Sequence, residues 1–262
     1  GKKLKIALLT FNQEGRATYL RAYLLGKQLA KLGHDVTILA GNIEGRTIQE
    51  REEEGLKIVT FPRLFKRFFL FGWGPDEIFS RLCWARHKNF DLVHAFETRP
   101  TNLIPARLMQ RNGAAFFIDW ADWLGEGGSV EERPDGIRKR ILKVFETWYE
   151  NRKFSKSYGI TAICTPLVAE AKRHGYLREK ILLLPNGMCN PYLRSLSMAR
   201  AREEIGVPSE SVIIGYIGSG FKKDMDLMYS AFTCVQEKLE DVKLLHIRSE
   251  ERRVGKECRS RW

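Results

Sequence analysis

Long hydrophobic runs are missing from this sequence: the densest apolar stretches, "FFLF" and "ILLLP", stop well short of the roughly 20 residues that cross a bilayer. No charged-then-apolar leader opens the chain, so a membrane-spanning class is not expected. The five cysteines (Cys83, Cys164, Cys189, Cys234 and Cys258) form no Cys-x-x-Cys pair and have no neighbouring histidines. Neither a zinc site nor a disulfide framework is signalled, and a reducing cytosol fits. Helix-turn-helix, finger and aromatic-repeat signatures of nucleic-acid binders are lacking too. The first apolar run is followed by "NQEG" and not by Gly-x-Gly-x-x-Gly, which argues against a nicotinamide-dependent oxidoreductase. No repeat of solenoid length occurs.

What the sequence does contain is enough apolar material for one large core or two modest ones: 44% of its 262 residues are hydrophobic and 29% are charged. The formal charge is +12. Setting aside the last fifteen residues leaves 38 basic and 29 acidic side chains, a surplus of +9. Such a surplus favours anionic partners such as sugar nucleotides or phospholipid headgroups, although a basic surface alone singles out none of them.

Along the chain, short apolar runs alternate with helical patterns. "KLKIALLTF" reads as a strand, Arg16–Leu32 as a helix closed by Gly33, and "HDVTILAG" as a second strand. "GLKIVTF", "DLVHAF", "AAFFID", "GITAIC" and "KILLLP" continue the strands. The intervening helices fall near Asp76–Phe90, Pro100–Gln110 and Gly136–Lys156, with a further one over "TPLVAEAKRHG" that Thr165 caps. The acidic run Glu50–Glu54 is expected to be a solvated face. This alternation predicts an α/β fold with a doubly wound parallel sheet, over residues 1–195. A new strand, helix and strand (Val212–Ile217, Lys222–Leu239, Val242–Ile247) begin a second domain over 209–247, with the boundary near 190–208.

Ligands of open α/β sheets bind beyond the carboxyl ends of the strands. The residues at those positions are polar: Gly15 and Arg16, His94 and Glu97, Asp119 and Asp122, Thr165, Asn186 and Gly187. Taken singly, each is also an ordinary turn former.

Four segments, "GRATYLRAYLLGKQLAKLGHDVTIL", "DLVHAFE", "TAICTPLVAEAKRHGYLREKILLLPNGM" and "IGYIGSGFKKDMDLMYSAF", together resemble family-four glycosyltransferases of the GT-B fold, over Lys3 to about Ile247. The resemblance implies two facing Rossmann-like domains, an acceptor held by the first and a nucleotide-sugar donor by the second. It also implies retention of anomeric configuration, with no cofactor and no obligatory metal. It puts Gly15 and Arg16 at the sugar or phosphate, and His94, Glu97 and Asp122 as catalytic candidates. Asp119, Thr165, Asn186 and Gly187 follow as substrate-binding residues, with Gly218, Gly220 and Lys223 at the donor diphosphate. Two positions depart from the pattern: Phe96 stands where a second histidine is usual, and Ser219 where an arginine is.

"RLFKRFFLFGWG", within residues 63–74, interleaves basic and aromatic residues and suits either peripheral contact with an anionic membrane at its inner face or a lid on its own domain. From Arg248 the chain loses all apolar pattern, and "RSEERRVGKECRSRW" resembles a translated sequencing adaptor. Residues 248–262 are therefore set aside, the second domain is expected to be truncated, and this length of chain is expected to be inactive alone. The function so read is a retaining glycosyltransferase in cell-envelope glycan or glycolipid synthesis, acting on a glycan or lipid-linked acceptor in the cytoplasm, with no nucleic-acid partner. The alternatives are a nucleotide-sugar 2-epimerase of the same fold and a non-catalytic basic module that binds membranes or nucleic acid.

Overall fold

The alternating pattern folds as a doubly wound sheet. The structure, a computed structural model, describes residues 2–133, 135–153, 157–187, 196–217 and 222–247. Two compact units divide the chain, Gly1–Cys189 and Asn190–Trp262. In the first unit the strands are β1 (Lys5–Gln13), β2 (Asp35–Asn42), β3 (Gln49–Glu53), β4 (Leu56–Pro62), β5 (Leu92–Phe96), β6 (Ala115–Trp120), β7 (Gly159–Ala162) and β8 (Ile181–Leu183). Its helices are α1 (Ala17–Lys31), α2 (Pro75–Ala85), α3 (Pro100–Arg111), α4 (Ile137–Lys153) and α5 (Thr165–Arg173).

The eight strands lie in the order β3-β4-β2-β1-β5-β6-β7-β8. All pairs are parallel except β3 with β4. The chain runs outward from β1 through β2 to β4, then returns to place β5 on β1's other side, so the order reverses between β1 and β5. Loops there diverge to opposite faces of the sheet and leave a crevice at the strand ends.

Burial on both faces explains why the strands read as continuous apolar runs. Period-two alternation sends Ile6, Leu8, Val36, Ile38 and Ile58 to a cluster under Tyr19 and Ala22 of α1. Ala7, Leu9, Leu39, Val59, Val93 and Ile118 join a cluster with Leu103 and Ala106 of α3 and Leu167 and Ala171 of α5 on the other face. A Cβ added at Gly26 of α1 would lie 3.1 Å from Leu8 Cδ1, so this glycine lets the helix backbone ride close on the sheet. Charge is also buried on that second face: Arg81 donates to Glu77 Oε1 (2.6 Å) and to the Thr10 carbonyl (2.8 Å), fixing α2 to the end of β1.

Two local expectations change. The acidic run is not only a solvated face: Gln49–Glu53 pairs antiparallel with β4, its side chains all exposed, because the open edge of β4 offers unmet backbone partners. Thr165 is the first helical residue of α5 and Cys164 its N-cap, with no side-chain capping bond. The second unit contains α6 (Met198–Glu204), β9 (Val212–Ile217), α7 (Lys222–Gln236) and β10 (Val242–Ile247), with β9 and β10 parallel. Gly218, Gly220, the Lys223 side chain and residues 248–262 lie outside the described residues.

Candidate active site

At the carboxyl end of the first unit's sheet, one arginine of α1 ties the end of β6 to the segment after β8. Arg21, on the second turn of α1, donates Nε to Asp119 Oδ2 (2.7 Å) and Nη2 to Asp119 Oδ1 (2.8 Å). The same guanidinium reaches the Leu184 carbonyl (2.7 Å), the Pro185 carbonyl (3.3 Å) and Asn186 Oδ1 (2.9 Å). A planar fork is suited to this, since two parallel bonds fix the carboxylate while the remaining N–H groups hold the segment after β8. Asp119 is fully buried at the end of β6, and desolvating it is tolerable because Arg21 and the Thr161 hydroxyl both donate to it. With that proton committed, Thr161 Oγ1 accepts from His94 Nε2 at 3.1 Å. The chain of contacts thus runs His94, Thr161, Asp119, Arg21, Asn186.

His94 sits at the back of this chain, 7% exposed. Burial lowers its pKa, partly countered by the charge of Asp119. Its environment therefore favours neutral imidazole, held by a hydrogen bond in the wall of the site. The sign of the linkage follows: below the ordinary pKa near 6.5 the unfolded chain binds a proton that the folded chain resists. Thermal stability is expected to fall as pH drops from about 7.5 to about 5, and the non-titrating substitution His94→Gln to flatten part of that slope. An unchanged slope in scanning calorimetry would show that His94 does not resist protonation.

Glu97 follows β5 beside this chain. Its φ is +73°, in the left-handed region that a residue with a Cβ rarely occupies, a strain that sites of function often hold. Its backbone N–H donates to the Asp119 carbonyl at 2.9 Å. Its Oε1 accepts from the backbone N–H groups of Asp122 (3.0 Å) and Ala121 (3.2 Å). Oε2 is buried and has no hydrogen-bond partner among the described residues. Burial, reinforced by the negative charges of Asp122 and Asp119, pushes its pKa well above the usual carboxylic range. The result is a carboxyl group biased towards its protonated form, able to donate from the orphaned oxygen.

The structure therefore gathers Glu97, Asp119, Asp122 and Asn186 into one hydrogen-bonded rim. Asp122 and Asn186 are exposed there and Asp119 is not. Gly15, at φ +74° with open space where a Cβ would stand, turns the chain from β1 into α1, next to β5 at the order reversal. Arg16 is the N-cap residue of α1. Thr165 and Gly187 lie beyond β7 and β8 at the same strand ends, both exposed. Trp120, between Asp119 and the rim's Asp122, is fully buried in the core and offers no face to a sugar.

Outside this rim, α4 supplies a wall through its acids. Glu146 accepts from Arg99 (2.8 Å) and Arg133 (3.0 Å), and Glu150 from the N–H groups of Gly125 (2.7 Å) and Leu124 (3.4 Å). Arg21, Thr161 and this acid pair went unnoticed in the sequence. Arg21 did leave a trace: it stands among Thr18, Ala22, Leu25 and Gly26 on the inward stripe of α1, where a charge needs an acid partner. No cluster of metal-ligating side chains occurs among the described residues.

A family model described as a glycosyl transferase 4-like domain matches residues 17–187. A glycosyltransferase structure from Rickettsia africae is 16% identical, with a TM-score of 0.56, over 95% of this chain and 69% of that one. The Anabaena protein HepE in complex with UDP and glucose is 12% identical, with a TM-score of 0.54, over 94% and 70%. A putative UDP-N-acetylglucosamine 2-epimerase from Listeria monocytogenes is 13% identical, with a TM-score of 0.56, over 97% and 65%. At these identities the likeness is one of fold, the Rossmann-like GT-B type. No curated protein matches the chain in sequence.

Proposed function

The chain belongs to the glycosyl transferase 4-like family, and from that membership we propose that it moves a sugar from a nucleotide-sugar donor to a hydroxyl acceptor with retention of anomeric configuration. The observation that carries the reading is the rim itself: Glu97, Asp119, Asp122 and Asn186 in one network at the order reversal of a family-matched domain. Exposed Asp122 and Asn186 suit the hydroxyls of a glycan or lipid-linked acceptor. A neutral Glu97 donates a hydrogen bond where a charged carboxylate would repel the pair beside it. Gly15 and the N-terminus of α1 admit a sugar or phosphate close to backbone N–H groups.

The donor is a uridine nucleotide sugar, the class held by HepE. Charge on the departing diphosphate is met by the start of α7 with Lys223, without a resident metal or cofactor. The reaction is placed on the cytoplasmic side in cell-envelope glycan or glycolipid synthesis.

The test is transfer by the full-length protein from radiolabelled UDP-glucose and UDP-N-acetylglucosamine. Label is expected in an added glycan or lipid-linked acceptor, with UDP released only when acceptor is present and the product anomer matching the donor by NMR. Interconversion of the donor sugar without acceptor would replace this reading with an epimerase. Absence of both turnover and UDP binding would leave a binding module.

A further inference from the structure

Helix α4 is turned inside out. A helix at a protein surface ordinarily buries its apolar stripe and exposes its charges. Here the two acids, Glu146 and Glu150, are buried and bonded inward, while Ile137 (77%), Ile141 (64%), Val144 (72%), Phe145 (46%) and Trp148 (50%) are exposed. The spacing 137, 141, 144 and 148 keeps these side chains on one stripe about three turns long.

The stripe does not end at the helix. Phe145 lies 4.9 Å from Trp73 and 6.1 Å from Trp148, ring centre to ring centre, and Trp73 is also 4.9 Å from Tyr149. Trp73 thereby joins α4 to the segment before α2, where Leu64, Phe65, Phe68, Phe69 and Phe71 are all exposed. Contiguous apolar exposure on this scale marks a surface that is covered in use.

Charge identifies the covering. Exposed Lys66 and Arg67 lie within the loop and exposed Arg140 beside the stripe, and among the described residues Arg67 and Arg140 have no acidic partner. Beside the stripe, Glu126 and Glu131 are already paired with Lys143, and Asp135 with Lys139. Aromatic and aliphatic side chains edged by uncompensated cations complement a layer that is apolar inside and anionic at its headgroups. A second copy is a poorer fit, since a twofold contact would bring Arg67 and Arg140 towards their own like charges.

We propose that the outer face of α4 and the loop of residues 64–73 form one continuous surface that seats the protein on an anionic lipid bilayer. No helix among the described residues is long and apolar enough to cross a membrane, so the contact is interfacial. On the inner side of α4, Glu150 accepts from the backbone N–H groups of Leu124 and Gly125, two and three residues after Asp122, so the helix that carries the seated face is tied to the rim through its buried side. The proposal stands on exposure and charge, independently of the transferase reading.

Co-sedimentation of the whole chain with vesicles of phosphatidylglycerol and phosphatidylcholine, against phosphatidylcholine alone, tests it. Binding is expected only to the anionic vesicles. It should drop about tenfold both in the stripe variant Ile141→Glu/Val144→Glu/Trp148→Glu and in the loop variant Lys66→Ser/Arg67→Ser/Phe68→Ser/Phe69→Ser. The altered stripe side chains are exposed, and unchanged circular dichroism would confirm that both variants fold. Equal binding to both vesicle types, or loss in the loop variant alone, overturns the proposal. So does a lipid-free dimer that the stripe variant dissociates.

Discussion

Arg21→Ala is expected to lower the unfolding free energy of the first unit by about 3–5 kcal/mol, on the order of 10 °C in Tm. The reason is what the substitution leaves behind. Asp119 has no exposure, and Arg21 satisfies both its oxygens with bonds of 2.7 and 2.8 Å. Without the guanidinium, the carboxylate keeps only the Thr161 hydroxyl, and a buried charge with one neutral donor is costly. Adding Asp119→Asn should return part of the loss, because an amide needs no counter-charge. Arg21→Lys should return little, since an ammonium cannot form the two parallel bonds. Urea unfolding of the wild type and the three variants separates these outcomes, and a loss below about 1 kcal/mol in Arg21→Ala would mean that Asp119 is solvated in solution. A second readout is local: Asn186 loses its donor at 2.9 Å, so hydrogen exchange from Leu184 to Gly187 should quicken in step with the stability loss.

The second large effect concerns Glu97. In the full-length protein, Glu97→Ala is expected to lower kcat for sugar transfer by about 10²- to 10³-fold, the usual consequence of removing a preorganised donor from a site. Glu97→Gln should do much less, because an amide keeps the acceptor oxygen for the Asp122 and Ala121 N–H groups and puts a donor in place of Oε2. The pH dependence distinguishes this from a structural role. A carboxyl whose folded pKa is raised contributes stability that is present below its unfolded pKa, near 4.5, and is lost as pH rises through the folded value. Wild-type stability and transfer should therefore both decline on the alkaline side of that value, and Glu97→Gln should remove this alkaline limb from both. If Glu97→Gln is as inactive as Glu97→Ala, the ionised carboxylate is the working form and the neutral-donor role is wrong.

Most of the scaffold was legible because strands buried on both faces leave unbroken apolar runs, and the crossover helices leave spacings of three and four. "DLVHAF" and "GITAIC" became β5 and β7 with little change in their limits. The edge strand β3 was illegible, because five exposed polar residues form a strand there only through β4's unpaired backbone. His94 was visible as a residue after an apolar run, yet its burial behind Asp119 and Thr161 depends on partners 25 and 67 positions away. Arg21 was missed for the same reason, its acid partner being 98 residues distant. On α4 the period identified the stripe correctly, but a period does not say which side of a helix meets water. That was settled when Glu146 and Glu150 found buried donors on other elements.

By itself, the order of apolar runs and turn residues determined an alternating α/β chain with polar residues at the strand ends, since hydrophobic periodicity and turn chemistry are local properties of the sequence. Only the tertiary structure decided that β5 returns to pair with β1 and that Arg21 closes on Asp119 and Asn186. It also decided that Glu97 is held without solvent and that α4 shows its apolar side. Desolvation and charge pairing belong to groups far apart along the chain, and their free energies exist only once folding has put those groups within a few ångströms of one another.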